Sequence, residues 1–128
     1  MMNPLVILAV FFGGGLGSLA RHFSIGLSKT WFGDGFPYGT LFVNVLGSFL
    51  IGALIELFAR KFSQPMQVQA LLVTGFLGGF TTFSAFSFDV FKLVDTHQAL
   101  SAAAYVAASI FLSLLAVFAA VHLFRAVL

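Results

Sequence analysis

The sequence predicts an all-α membrane protein: one domain over residues 1–128, built from four transmembrane helices of which the third is broken near its middle. Composition gives the class. The 128-residue chain is 60% hydrophobic and only 8% charged, against roughly 45–50% apolar and about 25% charged in a soluble domain. Charge placement gives the number of spans. Met1 to Ala20, Gly35 to Ile55, Phe62 to Phe88 and Thr96 to Phe124 hold no Asp, Glu, Lys or Arg, and each run supplies the roughly 20 residues that a bilayer-spanning helix needs. A cluster of glycines and β-branched hydroxyls in the third run gives the break.

The first span is expected over Pro4 to Phe23. No basic residue precedes its apolar stretch, so it is expected to be retained rather than cleaved as a signal. Its "GGGLGSLAR" (residues 13–21) superficially invites a dinucleotide-binding reading. It lies in a span rather than after a strand, however, and Gly13 and Gly17 are four apart, as on a helix-packing face. Arg21 is expected to close the span, facing a water-filled vestibule or an acid, where its charge raises the local anion concentration.

The second span is expected over Tyr38 to Leu57 and carries Thr40, Asn44 and Ser48 at four-residue intervals. The fourth, over Leu100 to Leu123, carries Ser101, Tyr105, Ser109 and Ser113 in the same register. Four-residue spacing keeps side chains on one helix face, and the fourth-span ladder runs about 18 Å along its axis. A single hydroxyl at membrane depth is usually helix–helix glue or bonds back to its own backbone. Two aligned ladders instead describe a polar track, and Asn44, with two donors and an acceptor, is its sharpest residue.

The third span is expected over Val68 to Phe91. Gly75, Gly78 and Gly79 weaken a helix, and Thr81 and Thr82 compete for its backbone bonds. The break expected there frees carbonyl oxygens that must be buried, meet water or coordinate an ion, and carbonyl oxygen suits a hard alkali cation. The other reading of these glycines is a close helix contact through Gly75 and Gly79. Beyond the break, Phe83 and Phe86 stand three apart beside Ser84 and Ser87. With 18 Phe in the chain most are packing, yet a ring edge is electropositive and can line an anion's path without holding the ion tightly.

The ladders donate hydrogen bonds and have no intramembrane carboxylate beside them, which favours a small anion over a cation. Glu56 and Asp89 fall near span ends, where solvated or paired acids are ordinary. With no cysteine, disulfides, thiolate metal sites and cysteine nucleophiles are excluded, and His22, His97 and His122 do not cluster. The net charge of +2 is too small and scattered for nucleic acid. On four spans, Arg60, Lys61 and Arg125 fall on one side and Arg21, Lys29 and Lys92 on the other, so the bias that fixes orientation is absent. Insertion in both orientations and a single orientation set by other features both fit that tie.

"GTLFVNVLGSFLIG" followed by "TGFLGGFTTFSAFSFD" resembles the signature of the fluoride channels called Fluc or CrcB, and the resemblance covers all four spans. It implies an antiparallel, dual-topology homodimer in the cell membrane, of the bacterial inner membrane kind. Two pores, each lined by both subunits, would pass cytoplasmic fluoride passively outward and relieve its toxicity, with no enzymatic step. It further implies that Asn44, Phe83, Phe86, Tyr105, Ser109 and Ser113 line the pore and that Arg21 stands at its vestibule. The backbone carbonyls of Gly78 and Thr81 would hold a structural Na+ at the dimer centre. Asp89 stands where some members have Glu. The preference for fluoride over chloride comes from the resemblance alone. Two other classes fit a small four-span chain: a coupled exporter of organic cations, which wants an acid within a span, and a non-transporting subunit that only binds a partner helix.

Overall fold

The computed structural model describes residues 3–128. Four helical spans are long and apolar enough to cross a membrane: Pro4–Phe32, Tyr38–Arg60, Met66–Asp95 and Ala99–Val127. The first, second and fourth are single helices, α1 (Pro4–Phe32), α2 (Tyr38–Arg60) and α6 (Ala99–Val127). The third is composite. It begins as α3 (Met66–Gln69), widens into a π-helical segment (Ala70–Leu77), returns as α4 (Gly78–Phe80) and restarts, after an interruption, as α5 (Phe83–Asp95).

Helix α1 runs nine residues past the expected end. Asn3 caps its start, the side chain accepting from Leu5 N at 2.9 Å, and Pro4 takes the first helical position, where its missing N–H costs nothing. Arg21 does not end the helix, because arginine is a good helix former and its guanidinium finds a partner on the neighbouring span. Gly33 ends it, with φ 76° and ψ −169°, a conformation open to glycine, and with its N–H on Lys29 O. Arg21 therefore leaves the connector tally, and the helix ends carry three basic residues on one side, Arg60, Lys61 and Arg125, against Lys29 and Lys92 on the other.

Two parallel helix pairs make the bundle. In one, α1 lies against the first half of the third span, and glycines set the separation. A Cβ on Gly17 would overlap the Phe76 carbonyl and one on Gly13 the Leu71 carbonyl, so the backbones meet with no side chain between them. In the other, α2 lies along α6, where a Cβ on Gly52 would stand 2.7 Å from Val117 O. Helix α5 packs on α6 through a small core of Leu93, Ala102 and Tyr105, with Phe36, Leu41, Phe86 and Val90 against it. Large apolar side chains such as Phe11, Phe111 and Leu100 are more than two-thirds exposed, as on a surface whose solvent is lipid. This is a multi-pass membrane protein.

The break falls at Thr81 and Thr82, both extended (φ −86°, ψ 158° and φ −154°, ψ 126°), rather than at the glycines. Gly78 is helical, and a Cβ on Gly79 would overlap Gly14 O. The two readings of this stretch are thus both realised, one after the other: Gly75 and Gly79 make the close contact with α1, and the threonines make the break.

Candidate functional site: the cavity at the helix break

Where the third span is interrupted, its backbone groups must find partners elsewhere. Asn44, one turn into the polar register of α2, supplies two. Its Nδ2 donates to Thr82 O at 3.0 Å and its Oδ1 accepts from Thr82 N at 2.7 Å, so one amide side chain replaces both backbone partners the break removed. Thr82 then caps α5, its Oγ1 accepting from Ala85 N at 3.1 Å. Arg21, from α1, donates its Nε to Gly79 O at 2.9 Å. Its guanidinium thus lies beside the break, about 20 Å along the span from Met66 at 1.5 Å per residue, rather than at the end of a helix or on an acid. Thr81 bonds back to its own helix, with N and Oγ1 both donating to Leu77 O at 3.0 and 2.9 Å.

This accounting leaves specific groups over. The Thr82 and Ala85 amides, which would bond Gly78 and Thr81 in a continuous helix, are turned to Asn44 and to the cap. The carbonyls of Gly78 and Thr81 therefore lose their helical donors. On the other side of the break, α5 opens with first-turn amides, where a helix carries positive partial charge.

An open cavity of about 590 Å³ lies against these groups. Helix α2 contributes Asn44, Ser48 and Ile51, the third span Thr74, Gly78, Thr81, Thr82, Phe83 and Phe86, and α6 Ser109, Ile110 and Ser113. The ladders of α2 and α6 converge here because the two helices are parallel and in close contact, so residues at equal intervals stay level with each other. Gly47 belongs to the same wall, and a Cβ there would overlap the Thr81 side chain. No Asp or Glu lines the cavity, and among the described residues no group of three His, Cys, Asp or Glu could hold a metal ion.

The hydroxyls differ in what they are free to do. Ser48 donates to Asn44 O at 2.8 Å and Ser87 to Phe83 O at 3.0 Å, both serving their own helices. Ser109 is 8% exposed, and its Oγ has no hydrogen-bond partner among the described residues. A buried hydroxyl without a partner costs free energy; Ser109 lines the cavity, with its Oγ almost wholly shielded in this arrangement. The rings of Phe83 and Phe86 stand 5.5 Å apart at 51°, with Phe83 78% exposed.

Of the nine residues singled out, seven line this cavity: Asn44, Gly78, Thr81, Phe83, Phe86, Ser109 and Ser113. Arg21 reaches the break from behind, through Gly79 O. Tyr105 does not line the cavity. It is fully buried, donates its hydroxyl to Asp89 Oδ2 at 3.0 Å and sets its ring 5.2 Å from that of Phe86, so it backs the cavity wall. Asp89, whose role the sequence left unassigned, is the acceptor that holds Tyr105. Thr82 was overlooked as a site residue, although a threonine immediately before an apolar helical run is a helix-start signal.

The family described as CrcB-like protein, Camphor Resistance (CrcB), matches residues 8–121. The chain belongs to the CrcB family. Its relatives include proteins named fluoride-specific ion channel FluC. That of Rhizobium johnstonii is 47% identical over 119 residues, covering 93% of this chain and 95% of the relative. That of Granulibacter bethesdensis is 49% identical over 118 residues, with 92% and 93% covered, and that of Rhizobium meliloti 50% identical over 124 residues, with 94% and 96% covered. CrcB similarity thus spans every element that builds the cavity, from α1 to α6.

Proposed function

We propose that this CrcB protein is a fluoride-selective passive channel that exports cytoplasmic fluoride, and that the cavity at the helix break is part of its pathway. The observation that carries the reading is the polar set that lines one uncharged cavity, Asn44, Ser109 and Ser113, together with Phe83 and Phe86. Hydroxyl and amide hydrogens stabilise a small anion as it sheds water, and the absence of a fixed cation on the wall lets it leave. The relatives' name supplies fluoride. No covalent step is involved, so the protein is not an enzyme.

The cavity is open, and a pathway closed to lipid needs a further wall. An antiparallel homodimer with dual topology supplies it, and two such cavities give two pores. The carbonyls of Gly78 and Thr81, released from helical bonding, are hard neutral donors that fit a structural Na+ at the centre of that dimer. Bound there, the ion would neutralise freed carbonyl dipoles, while this chain's part is to hold the break open through Asn44 and Arg21. Passive fluoride efflux from liposomes containing the purified protein, read with a fluoride electrode beside empty-liposome and chloride-only controls, tests the reading. Rapid fluoride loss with little chloride loss supports it; no fluoride loss from folded dimer overturns it.

A further inference from the structure

Where α2 and α6 end, on the side of the Arg60, Lys61 and Arg125 cluster, the charges serve no group of the ion pathway. Glu56 is buried, 4% exposed, and its carboxylate is shared. Arg60 Nε donates to Oε2 at 2.8 Å, and Arg125 Nε donates to Oε1 at 2.8 Å. Each arginine engages the acid through Nε, and among the described residues the terminal amino groups of both guanidiniums make no hydrogen bond. The two side chains are about half exposed, at 46% and 55%. One carboxylate thus holds two guanidinium forks side by side with their outer N–H groups turned to the surroundings, and Lys61 adjoins them. Two arginines and the lysine against one acid leave an excess of two positive charges.

Their depth says what those surroundings are. Helix α2 has 23 residues, about 34 Å of rise against a hydrocarbon core of roughly 30 Å, so its last residues reach the headgroup layer. On the same ends of α2 and α6, Ile55 and Leu123 are each 51% exposed, offering apolar surface below the charges.

We propose that Arg60 and Arg125, aligned by Glu56, bind the phosphate of an anionic lipid headgroup. Guanidinium forks match phosphate oxygens pairwise, basic pockets between transmembrane helices bind such headgroups, and the apolar surface beneath accepts acyl chains. Free phosphate shares the phosphate chemistry but has no use for that surface.

Native mass spectrometry of the detergent-purified full chain, with phosphatidylglycerol, phosphatidylcholine or inorganic phosphate added, tests this. Wild-type protein is expected to retain phosphatidylglycerol in preference to phosphatidylcholine, with inorganic phosphate failing to displace it. The Arg60→Gln/Arg125→Gln protein is expected to lose that retention by roughly tenfold, the size of a lost charge-assisted bond. Lys29→Gln, at the opposite end, is expected to keep it. Arg60→Lys/Arg125→Lys keeps the charge on Glu56 without the forks and is expected to fall between the two. Equal retention of the two lipids by the wild type overturns the proposal without recourse to any variant. So does displacement by inorganic phosphate, or undiminished retention in the double Gln protein. Fluoride efflux is a separate readout, since these residues do not line the cavity.

Discussion

Asn44→Asp is nearly isosteric and changes only what the side chain donates and carries, so its consequences can be worked from the contacts. The Nδ2 bond to Thr82 O becomes an oxygen facing a carbonyl oxygen, which costs about 1–3 kcal/mol of stability, while the bond from Thr82 N survives. The larger effect falls on an anion. In a cavity of 590 Å³ an ion passes within roughly 6 Å of this side chain, and two like charges at that distance repel by about 3 kcal/mol at an effective dielectric constant near 20. That is about a hundredfold in flux. Fluoride-electrode efflux from liposomes at matched protein density reads it. Asn44→Ser, which loses the amide pair without adding charge, separates the two contributions and is expected to retain more flux than Asn44→Asp. Folded Asn44→Asp protein with flux within about threefold of wild type would refute the repulsion argument and remove Asn44 from the pathway.

Ser109→Ala is expected to lower fluoride flux roughly tenfold, one hydrogen bond's worth, while leaving the thermal melting temperature unchanged or raised, because the hydroxyl has no partner among the described residues; a lower melting temperature with normal flux would mark a packing residue. Phe83→Ile keeps apolar bulk but removes the ring edge, and is expected to impair efflux; normal conduction would show that the ion does not use that edge. Tyr105→Phe removes the bond to Asp89 and is expected to cost about 1–2 kcal/mol in denaturant unfolding, with a smaller loss of flux than Asn44→Asp because Tyr105 lies behind the cavity. Gly17→Ala drives a methyl into the Phe76 carbonyl and is expected to shift thermal unfolding of the detergent-solubilised protein downward by more than either of these; an unchanged melting temperature would mean the α1 contact is loose.

Most of the architecture was legible because a bilayer enforces it. Charge-free runs had to be spans, and the four-residue ladders of α2 and α6 had to share a face, so Asn44, Ser109 and Ser113 could be grouped before their convergence was seen. Helix α1 outruns its expected end because a charged residue does not by itself close a span. Arg21 stays within the helix by bonding Gly79 O, a partner fifty-eight residues away that no local pattern reveals. Of the glycines and threonines that together suggested a break, only the threonines make it: Gly79 packs against α1 and Gly78 stays helical, while Asn44 stabilises the extended Thr82. Tyr105 illustrates the limit of periodicity. It keeps the register of Ser109, yet its long side chain carries the hydroxyl across to Asp89 and away from the track. The pairing of Glu56 with Arg60 follows from i, i+4 spacing, but Arg125 enters only through the tertiary contact of α6.

The central claim is that fluoride crosses through the cavity at the break. The chain has no cysteine, so Ser113→Cys introduces a single thiol per subunit on the cavity wall. Fluoride efflux before and after its modification by a small positively charged thiosulfonate tests that claim most directly. Efflux abolished on complete modification and restored by reductant is the predicted result; undiminished efflux from protein shown by mass to be fully modified would contradict it.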